Sequence, residues 1–134
     1  MKRYYLSAAL CIAAMFQPQA AVAGTKLSNA DLIELQAMLQ SHIEASLVNG
    51  ALLQVAEKDG QLVSYFPTKT HPKIMQTDAF LILCADFATS AGEMVMANFY
   101  VARNDSGYVV FETTFGADPA LDALMKSGQA VMAN

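Results

Sequence analysis

From Leu32 onward, apolar residues recur at Leu32, Leu35, Leu39, Ile43 and Leu47, while Glu34, Gln36, Gln40 and Glu44 fall between them. Spacings of three and four put the apolar positions on one stripe, the pattern of an amphipathic helix laid on a core. Leu27-Ser28-Asn29-Ala30-Asp31-Leu32 supplies the start, with Ser28 as cap, Asp31 as its reciprocal partner three residues on, and Leu27 placed to staple onto Leu32. Asn49-Gly50 supplies the stop.

After Gly50 the period shortens to that of strands. LLQVAE and QLVSYF flank Lys58-Asp59-Gly60, a hairpin with Asp-Gly at its tip. PTKTHPK follows, and its two prolines and basic character mark it as a loop. Three further strands are expected at Ala79 to Phe87, Met94 to Arg103 and Tyr108 to Phe115, with Ala88 to Glu93 connecting the first two. Val95, Ala97, Phe99 and Val101 alternate on one face of the second, and Val109, Phe111 and Phe115 on one face of the third. Placing those faces together pairs Arg103 with Gly107 and leaves Asn104-Asp105-Ser106 as a three-residue loop. Asp118-Pro119 opens a short helix, and Gly128 closes it.

The expected fold is α+β: one long N-terminal helix packed on a curled antiparallel sheet of about five strands, followed by a short C-terminal helix. Cystatin-like and nuclear-transport-factor-like folds share this shape, and the analogy is one of shape only. The strand from Ala79 breaks the alternation, because Phe80, Ile82 and Cys84 on one side and Leu81 and Leu83 on the other are all apolar. A strand with one wet face should alternate, so this one is expected to be central and covered on both faces. The long helix covers one face. The short helix, a ligand or a second subunit must cover the other.

The first residues carry Lys2 and Arg3, an apolar run of about 11 residues from Leu6 to Phe16, and then Ala21-Val22-Ala23. That is the form of a bacterial-type secretory signal, and the run is well short of the ~20 residues that span a bilayer. Cleavage after Ala23 leaves 24–134 as a single domain destined for the periplasm or the exterior, with no stable membrane insertion. The signal removes two of the 8 basic residues and none of the 12 acidic ones, so the mature charge is near −6. Nucleic acid and anionic membrane surfaces both need a concentrated basic face and are disfavoured as partners. Cys11 departs with the signal, which leaves Cys84 without an intrachain disulfide partner.

Cys84 lies inside an apolar run, two residues before Asp86, where a thiol packs as a small core residue. His71, Asp86 and Glu112 are the candidate acid or base groups if a pocket brings them together. Met94, Met96 and Tyr100 share a strand face and are candidates for ligand or partner contact. So are Lys69, His71 and Lys73, which place two cations and an imidazole on one Pro-braced segment of an acidic chain. Thioether and imidazole suit Cu(I), which makes Met38 with His42 at i and i+4 on the first helix, and Met94 with Met96, the candidate metal ligands. No Gly-rich phosphate cradle, G-x-S-x-G elbow or H-E-x-x-H is present, and no cofactor is expected. These readings converge on a small exported, non-catalytic binding or interaction module, with a second copy of itself or another exported protein as partner. A carrier of a small apolar ligand or Cu(I) is the first alternative, and a small acid/base pocket enzyme the second.

Overall fold

The computed structural model describes residues 26–133. The elements run α1 (Asn29–Ser46), β1 (Leu52–Val55), β2 (Leu62–Gln76), β3 (Leu81–Thr89), β4 (Met94–Asn104), β5 (Gly107–Phe115), α2 (Pro119–Lys126) and β6 (Val131–Met132). The five main strands form an antiparallel meander in chain order, β6 pairs with β2, and the sheet is not closed. This is an α+β architecture with the long helix first. The expected signal segment lies outside the described residues.

α1 begins as its sequence requires. Ser28 and Asp31 form a reciprocal capping box, with Ser28 N–H donating to Asp31 Oδ2 at 2.9 Å and Asp31 N–H donating to Ser28 Oγ at 3.2 Å. Leu35, Leu39 and Ile43 are buried against Leu83, Ala85 and Phe87 of β3 and Ala97, Phe99 and Val101 of β4. Leu32 and Leu47 flank this core. The helix stops at Ser46, three residues before the expected signal. Asn49 (φ 52°) and Gly50 (φ 83°) instead make the tight turn of a small bridge between Val48 and Ala51. A two-residue turn with positive φ at both positions favours Asn-Gly, so the same dipeptide serves a hairpin and not a helix cap.

The segment PTKTHPK is not a loop but the middle of β2, carried through two irregularities. Pro67 pairs with Phe87 and Lys69 with Asp86, so Thr68 is extra; Thr70 pairs with Ala85 and Ile74 with Leu83, so His71, Pro72 and Lys73 together oppose Cys84. β1 reaches only as far as Tyr65, and β6 begins only at Met75, so both prolines fall where β2 has a strand on one side only. Prolines are tolerated at bulges and open edges because no ladder hydrogen bond is demanded there.

The β4–β5 register also departs from expectation. Asn104 pairs with Gly107 and Arg103 with Tyr108, leaving Asp105 and Ser106 as the turn, braced by Ser106 N–H donating to Asn104 Oδ1 at 2.9 Å. Val101 then pairs with Val110 but Tyr100 with Glu112, so Phe111 is an extra residue. One inserted residue moves side chains to the other face, since the period is two. Tyr108 and Val110 therefore join Phe115 at the α1 core, while Val109 and Phe111 are turned away from it. Phe111 meets Phe80 edge-on, with ring centroids 6.0 Å apart.

Residues 81–85 of β3 are all buried, as the loss of alternation implies. α1 covers Leu81, Leu83 and Ala85. On the second face, α2 lays Leu121 on Ile82 and Tyr100, with Met75 and Phe80 around them. α2 starts with Asp118 as cap and Pro119 at its first position, and Gly128 (φ 72°) follows its end.

Candidate functional site

Next to α2, the second sheet face opens into a cavity of about 380 Å³. β3 contributes Cys84, β4 contributes Met96 and Asn98, β2 contributes His71, Lys73 and Met75, α2 contributes Leu121, Asp122 and Met125, and β6 contributes Met132. Period-two alternation sets the β4 residues on this face, and the bulge in β2 sets His71 and Lys73 beside Cys84. The bulge is tied to the first helix, because Gln36 Nε2 donates to the His71 carbonyl at 3.0 Å.

The floor of the cavity is a buried polar network around Asp118. Its Oδ2 accepts from Tyr100 Oη at 2.7 Å, Thr114 Oγ1 at 2.7 Å and Asn98 Nδ2 at 3.1 Å, while its Oδ1 accepts from the Leu121 backbone N–H at 3.1 Å. Cys84 Sγ donates to Asn98 Oδ1 at 3.2 Å, which extends the network into β3. Asn98 is 1 % exposed and Asp118 8 %, and such groups are tolerated in a core only when their hydrogen bonds are made. Burial alone raises a carboxyl pKa, but the bonds from Thr114, Leu121, Tyr100 and Asn98 outweigh it and hold Asp118 below its ordinary value. Burial, reinforced by the neighbouring Asp118 carboxylate, pushes the Tyr100 phenol well above its ordinary range.

The same surroundings decide the character of Cys84. Burial, then the charges of Asp86 and Asp118, push its thiol up to about 11. A nucleophilic cysteine needs the opposite shift. With its proton engaged by Asn98, Cys84 is a buried, protonated thiol.

His71 and Asp86 are brought together: His71 Nε2 is buried and lies 3.0 Å from Asp86 Oδ1, close enough for an ion pair but not aligned as a hydrogen bond. Glu112 is not with them. It lies opposite Tyr100 on β5 and lines a separate cavity with Phe80, Phe111 and Pro119. Lys73 and Met96 line the main cavity, Tyr100 lies beneath it with its hydroxyl on Asp118, and Met94 is 61 % exposed outside it. Lys69 pairs with Asp86 in the ladder and lines a third cavity with Gln40 and Glu44 of α1. Met38 packs into the α1 core, and His42 sets its ring edge-on to Phe99 at 6.1 Å, with burial lowering its pKa. The sheet thus stands between Met38 with His42 and Met94 with Met96, so these four do not converge.

Asn98, Thr114, Met75, Met125 and Met132 were not foreseen as site residues, and Asp118 only as a cap. Asn98 alone left a readable trace, a polar residue in phase with Met96 and Tyr100 on an apolar strand. Among the described residues, no three His, Cys, Asp or Glu side chains are grouped to hold a metal ion, and no helix is long and apolar enough to cross a membrane. The chain matches no known family model, no curated protein and no solved structure.

Proposed function

We propose that this protein is a small exported, non-catalytic binding module whose ligand occupies the cavity between the second sheet face and α2. The observation that carries this reading is the pairing of a largely apolar, methionine-rich lining with a buried, fully hydrogen-bonded polar floor. Apolar walls around a few fixed polar groups, in a volume of a few hundred Å³, are the usual form of a small-molecule site. The site lies on the sheet face opposite the long helix, and α2 supplies its lip. The buried, high-pKa thiol and the separation of Glu112 from His71 and Asp86 favour binding over acid/base or thiol chemistry.

Titration with the apolar fluorophore anilinonaphthalene sulfonate tests the reading. One dye is expected to bind per chain, and the double variant Met125→Lys/Met132→Lys should abolish the signal. Both positions are about half exposed, so the variant should fold. No dye binding by the native protein, or binding unaffected in the folded variant, overturns the proposal.

A further inference from the structure

We infer that this cavity is a thioether site for a soft monovalent cation, Cu(I), with ligands drawn from Met75, Met96, Met125 and Met132 and from the imidazole of His71. The inference deepens the binding reading above and rests on it. Eight methionines occur in the chain; Met1 and Met15 precede the described residues, and four of the other six line this one cavity. They arrive from β2, β4, α2 and β6, so no sequence spacing announces them. Methionine is an ordinary filler of irregular core gaps. Filling does not account for this group, because Met96 is 45 %, Met125 53 % and Met132 48 % exposed at an open cavity.

The chemistry of the donors selects the metal. Thioethers are soft, neutral ligands that suit Cu(I), whereas zinc, calcium and magnesium need thiolate, several imidazoles or carboxylate oxygens. A metal-ligating histidine commonly has a carboxylate beside its other ring nitrogen. Asp86 Oδ1 stands in that place, 3.0 Å from Nε2 though not aligned as a hydrogen bond, so Nδ1 is the nitrogen left for the metal. Asp118 beneath the cavity and Asp122 on its wall add negative charge that favours a cation, against the single cation of Lys73. Cys84, hydrogen-bonded to Asn98, is not required as a ligand.

The test is anaerobic titration of the native protein with Cu(I) against a chromophoric Cu(I) chelator, with Ag(I) as a redox-inert check by native mass spectrometry. One equivalent per chain is expected. The quadruple variant M75L/M96L/M125L/M132L, which conserves volume, should lose that equivalent while keeping its circular dichroism spectrum. Asp86→Asn should weaken binding about tenfold, as loss of an outer-sphere partner does. Met38→Leu and Met94→Leu should bind as the native protein does. Failure of the native protein to compete for Cu(I), or full binding by the folded quadruple variant, overturns the inference. If the fluorophore still binds in that case, the cavity remains a binding site for apolar molecules; if neither binds, both readings fall.

Discussion

Replacing Asp118 with asparagine removes one charge and keeps the shape, and it isolates what holds α2 to the sheet. Three donors converge on Oδ2, from Asn98, Tyr100 and Thr114, and a fourth, the Leu121 N–H, reaches Oδ1. An asparagine accepts on one side only. If its oxygen faces the three side chains, the Leu121 cap is lost, which costs about 1 kcal/mol. The three remaining bonds also become neutral, and a hydrogen bond to a charged group contributes roughly 1 kcal/mol more than a neutral one. The expected loss is therefore about 3–4 kcal/mol. With a urea m-value of ~1.5 kcal/mol per molar, the unfolding midpoint at pH 7 should fall by about 2 M. The pH dependence gives an independent check. Because folding lowers the pKa of Asp118, its contribution is present above the unfolded-chain value and is lost as pH falls through the folded one. The gap between native protein and variant should persist at pH 4 and close only in stronger acid. A midpoint shift worth less than about 1 kcal/mol at pH 7, or a gap already closed at pH 4, would refute the hub reasoning.

Cys84, held up at about 11, should react negligibly with iodoacetamide at pH 8 until urea unfolds the chain; fast modification of the folded protein would contradict its burial. The raised thiol also makes folding sensitive to alkali, since the unfolded chain ionises first. Its contribution to stability, present below about pH 9, should fall by about 3 kcal/mol as pH rises to about 11, and Cys84→Ala should remove that share of the alkaline loss while the share due to Tyr100 remains. Phe99→Ala empties a fully buried site in contact with Phe87 and His42 and should cost about 3–5 kcal/mol in urea unfolding. Gly50→Ala adds a Cβ that meets nothing within 4 Å, so the backbone at φ 83° sets its whole cost, about 1 kcal/mol by the same assay.

What the sequence determined by itself is local. The capping box at Ser28, the stripe from Leu32 to Leu47, the Asp118-Pro119 start and the buried run of β3 were legible because each depends on neighbours within a few positions. Even the pairing of His71 with Asp86 was suggested only as residue types and made real by a bulge. Where chain and prediction parted, a shift of one or two residues was enough. The two-residue turn at Asp105-Ser106 put Val109 opposite Ala102 and not Val101, the extra Phe111 returned Phe115 to the core face, and the His71-Pro72-Lys73 bulge turned an apparent loop into a strand that delivers an imidazole beside Cys84. Parity arguments assume an unbroken ladder and carry no information about where a ladder breaks. The site itself was a decision of the tertiary structure alone. Asp118 is a helix cap in sequence, and it becomes a buried hub only because α2 folds back over β4 and β5, where Tyr100, Asn98 and Thr114 present their donors to it. Met75, Met96, Met125 and Met132 share a cavity for the same reason: apolar burial lays α2 on the second sheet face and β6 pairs with the end of β2, and neither contact has a periodicity to read.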